Sequence, residues 1–144
     1  MVKIVASRKI NAPVDRVFKR VSEIEKFVEV DDDIVHIEFL TEQKSGIGTR
    51  FRETRKMKKQ EMITELEVTE YVENDHVRMV TDSHGTIWDT IYEVKSEDGQ
   101  TGLTLTMDAT PHQLLPKIMN RFMKGFFQKG IERHMDAVKT YCEA

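Results

Sequence analysis

Between Asp33 and Ala109 the apolar residues recur at every second position, and only short turn signals interrupt the alternation. No other feature restricts the fold as much, because a period of two marks strands with one wet face and one buried face. DIVHIEFLTEQ, TRFRETRKMKK, EMITELEVTEYVEN, DHVRMVTD, TIWDTIYEVKS and GLTLTMDAT read as six strands. They are separated by KSGIG, Lys59-Gln60, Asn74-Asp75, Ser83-His84-Gly85 and Glu97-Asp98-Gly99. Connections this short join antiparallel neighbours, so the region reads as a meander.

Outside the meander, VKIVASRKI reads as a further strand over residues 2–10. NAPVDRVFKRV reads as a short helix, with Asn11 as its cap, Pro13 in the first turn and Asp15 favoured by the helix dipole. Ser22-Glu23-Ile24-Glu25 fits a capping box, which predicts a second short helix from Ser22 to about Val28. Pro111 ends the last strand, and one long helix is expected from Leu114 or Pro116 to about Cys142. A seven-stranded antiparallel sheet has a face to bury, and this helix is the only element large enough to cover it.

On a helical wheel Lys117, Arg121, Lys124, Gln128 and Glu132 share one side, while Leu115, Met119, Phe122, Met123, Phe126 and Phe127 share the other. Gly130 falls within the apolar side and Gly125 at its border. Further on, Ile131, Met135, Val138 and Cys142 continue a stripe that has drifted around the axis, which predicts a bend at the glycines. Glycine in a helix interior costs about 1 kcal/mol relative to alanine. Two explanations of Gly130 stand at this point: it leaves room for a pocket walled by adaptable Met side chains, or it permits close helix–sheet contact in a dry core.

Strand alternation assigns the inner face by elimination. Arg50, Arg52, Thr54 and Lys56 belong in water, so Phe51, Glu53, Arg55 and Met57 point towards the helix. Asp89 and Glu93 belong in water, so Trp88, Thr90 and Tyr92 point inward with Val94. Leu103, Leu105 and Met107 share a face, as do Val77, Met79, Thr81 and Ser83. With Met119, Phe122, Met123, Phe126 and Gly130 from the helix, these residues form the candidate ligand-binding wall: apolar, with a few polar groups to orient a ligand. Glu53 and Arg55, two apart on one face, can partner each other there, or form a half-solvated structural pair near a sheet edge.

Composition narrows the function classes. The 144 residues fit one domain, 39% are apolar and 33% charged, and 22 basic against 25 acidic residues leave a net charge of −3. This balance, and the poor aromatic interleaving of the basic run RFRETRKMKK, argue against a nucleic-acid partner. No signal peptide and no membrane span are read, so the expected setting is cytoplasmic without integral membrane association. The single cysteine, Cys142, excludes a disulfide framework and a Cys-based zinc site. The five histidines form no HExxH or tight pair, so neither metal nor cofactor is expected; His134 flanks the apolar stripe. Asp31-Asp32-Asp33 reads as a solvated turn. No GxSxG elbow or Cys/His arrangement points to a nucleophile.

INAPVDRVF after the first strand, GIGTRF at the turn into the third, LEVTEYVEN in the fourth and a terminal amphipathic helix closing on KTYCE together resemble the START-like (SRPBCC) helix-grip superfamily. Within it the chain is most similar to the polyketide cyclase/dehydrase and lipid-transport branch. The resemblance spans residues 1–144 as a single ligand-binding domain. It implies an α+β, Bet v 1-like fold: a seven-stranded curved sheet wrapped around a long C-terminal helix, with two short helices after the first strand. It implies a small hydrophobic partner, such as a lipid, isoprenoid, polyketide or aromatic compound, in a hollow between sheet and helix. Phe27-Val28 and Gly99-Gln100-Thr101 depart from the family's tryptophan and Gly-Gly-Thr at those places. Alternatives are a cyclase/aromatase-type enzyme in which Glu53 or Arg55 moves protons, and a protein-interaction module without a small ligand. A monomer or homodimer is expected.

Overall fold

The computed structural model describes the whole chain, Met1–Ala144. Seven strands form one antiparallel sheet: β1 (Val2–Ile10), β2 (Ile34–Phe39), β3 (Arg50–Met57), β4 (Gln60–Val72), β5 (His76–Ser83), β6 (Thr86–Glu97) and β7 (Gln100–Pro111). Their order across the sheet is β1-β7-β6-β5-β4-β3-β2, so β2 to β7 are a meander and β1 closes onto β7. Two hairpins turn on adjacent residues with positive φ, His84-Gly85 and Asp98-Gly99, which suits the right-handed twist of the flanking strands. Register shifts interrupt β2 between Ile34 and His36 and β4 between Val68 and Glu70. Such bulges bend their strands and help the sheet curve.

Four helices complete the fold. α1 (Val14–Ser22) follows β1, and a short 3-10 turn (Ile24–Lys26) leads into α2 (Phe27–Val30). After β7 come α3 (Leu114–Phe122) and α4 (Lys124–Glu143). Val17, Phe18, Val21, Ile24 and Phe27 bury their side chains against Phe51, Val68, Val77, Leu103 and Leu105 of the sheet and Met135, Val138 and Cys142 of α4. A smaller cluster of Val2, Ile4 and Ala109 sits under Phe127 and Ile131 beside Trp88 and Met107. Arg8 ties the edge strand to α4 through Glu132 at 3.0 Å and Asp136 at 2.8 Å. The Asn11 amide donates to Glu143 at 2.8 Å and Lys139 Nζ to the Lys9 carbonyl at 2.6 Å. No helix is long and apolar enough to cross a membrane.

Three local expectations are corrected. Ser22 closes α1 instead of opening a helix: it is buried, and its hydroxyl donates to the Phe18 carbonyl at 2.7 Å. The capping-box reading fails because a short back-bond within the helix satisfies the serine. The terminal helix is not continuous, and its break lies at Met123 (φ −93°, ψ 6°), two residues before Gly125. Asp31 is not part of a solvated turn; it is 3% exposed at the end of α2, for reasons given below.

Candidate functional site

β3 and β2 lie in register with Ile34 opposite Arg55, which brings the residues just before β2 alongside the inward-pointing guanidinium. Asp31 ends α2 there. One of its oxygens, Oδ1, accepts the Asp33 amide at 3.0 Å, which fixes the carboxylate. The other, Oδ2, accepts Arg55 Nη1 at 3.1 Å and His134 Nδ1 at 2.7 Å. His134 hangs from α4 across the concave face. Its Nε2 lies 3.0 Å from the Tyr92 hydroxyl on β6. Glu53 lies on the second side of Arg55, with a 3.5 Å ion contact. Five residues from four elements therefore form one polar cluster inside the concave face: Asp31, Glu53, Arg55, Tyr92 and His134.

The electrostatics follow from burial and charge. Burial alone would raise the Asp31 carboxyl, but the hydrogen bond and charge of His134, the Asp33 amide and Arg55 hold it well below the ordinary carboxylate range. Asp31 is thus an acceptor only. Burial first, then the field of Glu53, push the Tyr92 phenol well above the ordinary tyrosine range, against the opposing pull of Arg55. Tyr92 keeps its proton. With a neutral imidazole, Tyr92 donates to Nε2 and Nδ1–H donates to Asp31; with a charged imidazole, both ring nitrogens donate. In either state the Tyr92 oxygen retains a lone pair, Glu53 retains acceptor capacity and Arg55 retains N–H groups.

The sequence-derived wall separates into layers. Phe51, Met79, Thr81, Leu103 and Leu105 are buried and belong to the packed floor. Glu53, Arg55, Met57, Trp88, Thr90, Tyr92, Met107 and Met123 keep partial access to solvent. On the same inner face of β4, Met62, opposite Arg55, is 45% exposed, and Thr64 and Leu66 lie beyond it along the strand. A side chain that points into the concavity and still meets water is not covered by the helix. The space over Glu53, Arg55 and Met57 of β3 and Met62 and Thr64 of β4 is therefore an open cleft, not an enclosed hollow. Two cavities, of about 210 and 230 Å³, lie elsewhere, beside Lys3 and α3 and beside α1 and the β4–β5 turn.

Along α4, Phe126, Gly130 and His134 follow each other at intervals of four, on one line of the helix. Gly130 is exposed, and a Cβ at that position would meet no atom within 4 Å. Trp88 packs edge-on against Phe127 with ring centroids 4.9 Å apart. Met119 and Phe122 do not join the wall: α3 breaks from α4 at Met123, and Phe122 is 82% exposed with Met119 also outside. Asp31 was missed because a run of three aspartates looks solvated. The available signal was its position between apolar Val30 and Ile34, both buried. No group of three or more His, Cys, Asp or Glu side chains is placed to hold a metal ion.

A curved seven-stranded antiparallel sheet gripping a C-terminal helix, with short helices after its first strand, defines a helix-grip protein. The chain belongs to the polyketide cyclase/dehydrase and lipid transport family, whose model matches residues 1–143. Its fold is similar to that of a Thermus thermophilus protein, at a TM-score of 0.79 and 15% identity, over 96% of this chain and 95% of the other. A START superfamily protein from Mycobacterium smegmatis gives 0.78 at 15% identity, over 98% and 97%. The di-domain ARO/CYC StfQ of the steffimycin biosynthetic pathway gives 0.82 at 12% identity, over 99% of this chain and 50% of that one, so this chain spans half its length. No functionally curated protein matches the sequence.

Proposed function

We propose that the chain binds a small hydrophobic molecule bearing a hydroxyl or carbonyl group in the cleft between α4 and the concave face of the sheet. The observation that carries this reading is the partly accessible polar cluster set inside an otherwise apolar surface. Buried charges of this kind are expensive unless paired, and here the pairing leaves directional groups unused on the cleft side. Arg55 would donate to a carbonyl oxygen, and Glu53 or the Tyr92 oxygen would accept from a hydroxyl. Met57, Met62, Leu66, Trp88 and Phe126 would cover the ligand's apolar body. Family membership supports the class of ligand.

Trp88 is the only tryptophan, so its fluorescence reports on the cleft without a label. Titration with an apolar, hydroxyl-bearing dye is expected to shift the Trp88 emission. Gly130→Phe is expected to weaken binding at least about tenfold while leaving the melting temperature near wild type, because the new ring enters open space. Unchanged dye affinity in a folded Gly130→Phe protein would place binding elsewhere.

The order Asp31–His134–Tyr92 favours one second reading, an enzyme of cyclase type in which the imidazole relays a proton to or from the ligand's oxygen through Tyr92. The two readings part at Tyr92→Phe. An enzyme loses turnover of an oxygenated substrate by far more than it loses affinity; a carrier shows no turnover to lose.

A further inference from the structure

α3 is inverted relative to an ordinary amphipathic helix. The side chain it buries is Asn120, whose Nδ2 donates to Thr86 Oγ1 at 2.9 Å. The side chains it exposes are Leu114, Leu115, Ile118, Met119 and Phe122. Leu114 at 73%, Leu115 at 70% and Phe122 at 82% exposure are the crest of this ridge. An apolar strip this continuous is uncommon on a free surface and marks a contact.

The charge around the ridge selects the contact. No Asp or Glu occurs between Asp108 and Glu132, although the chain holds 25 acids, and Lys117, Arg121, Lys124 and Lys129 fall within that interval. Lys117 and Arg121 lie one turn apart on α3 beside the ridge, and Lys124 opens α4. With Lys3 and the buried Asn120 they line the cavity of about 210 Å³ where β1 meets α3, and no carboxylate lines it. These cations have no salt-bridge partner, whereas Arg8, on the same strand as Lys3, is held by two carboxylates. A second copy of the chain on the ridge would set bases against bases across a two-fold axis.

We propose that α3 is a membrane-docking element: its apolar ridge enters the surface of an anionic bilayer while the Lys3–Lys117–Arg121–Lys124 cavity receives a lipid phosphate. Leucine and phenylalanine on the crest with basic side chains along one flank are the physical profile of an interfacial helix. Docking does not require an occupied cleft, so the two readings fail separately: a chain that binds dye and ignores vesicles loses only this one.

The test is flotation of the full chain with vesicles. Binding is expected with phosphatidylglycerol-containing vesicles, at least about tenfold weaker with pure phosphatidylcholine, and falling with added salt. Phe122→Asp, at a position too exposed to disturb the core, is expected to lose about tenfold or more. Lys117→Gln with Arg121→Gln is expected to lose about fivefold per charge removed. Absence of flotation with any vesicle overturns the proposal. So does a cavity that takes inorganic phosphate, seen as Lys- and Arg-dependent NMR shifts, in a chain that ignores vesicles. A dimer in sedimentation equilibrium that Phe122→Asp dissolves, without vesicle binding, assigns the ridge to a second copy and overturns it equally.

Discussion

Asp31 joins α2, β3 and α4 through Arg55 and His134, and its depressed pKa makes it a stability element with a definite pH signature. The folded protein favours the ionised form, so the contribution is complete above the unfolded carboxylate pKa of about 4 and is lost as pH falls through the lower folded value. Asp31→Asn is therefore expected to destabilise by on the order of 3 kcal/mol at neutral pH, because it leaves Arg55 and His134 with a weaker partner. The difference from wild type should shrink below about pH 4 in urea titrations; a pH-independent difference would remove the ionised carboxylate from the account. Cys142 gives a second residue-scale prediction. Burial pushes its thiol up to about 11 against the opposing charges of Arg20 and Arg16. At pH 8 a thiol reagent should label it only as fast as the chain opens, and rapid labelling of native protein would contradict its place in the core. Strand alternation made the inward direction of Glu53, Arg55 and Tyr92 legible. It did not reveal Asp31, because that residue lies outside any periodic element and its partners are distant in sequence.

The meander is the part of the fold most plainly written in the chain. Period-two patterning located β2 to β7, and Asp98-Gly99 and His84-Gly85 announced their own turns because few residues accept positive φ. The break between α3 and α4 was not legible. Methionine is a good helix former, so nothing at Met123 marks a stop, and a single straight axis pointed Met119 and Phe122 towards the sheet. What anchors α3 is tertiary: the Gly85 carbonyl accepts the His112 amide at 2.9 Å, and Asn120 bonds to Thr86 in the same hairpin. Gly85 has φ +79°, and a Cβ there would stand 2.7 Å from Gln113 Oε1 and 2.9 Å from Pro116 Cγ. Gly85→Ala is thus expected to cost roughly 1–2 kcal/mol from the left-handed backbone alone. Hydrogen exchange should show the loss first as faster exchange in α3; uniform loosening across the sheet would argue against the hairpin as its anchor.

At the scale of the whole molecule, the fold divides into a sealed half and an open half. α1, α2 and the C-terminal part of α4 close the concave face over Phe51, Leu103 and Leu105, and Arg8, Asn11 and Lys9 fasten α4 along β1. Over the hairpin end of β3 and β4, at Arg55, Met57 and Met62, it stays open, and the polar cluster stands at the border between the two halves. The residues alone left a pocket and a dry core both open at Gly130; the family resemblance implied a hollow between sheet and helix, and neither indicated its openness. The central claim is that this border is a binding site for a hydrophobic, oxygen-bearing molecule. Native mass spectrometry of the purified chain tests it most directly. A small-molecule adduct, or uptake of an apolar hydroxylated probe at one per chain, is expected in wild type and not in folded Gly130→Phe. Only the bare chain mass, with no uptake of any such probe, would contradict it.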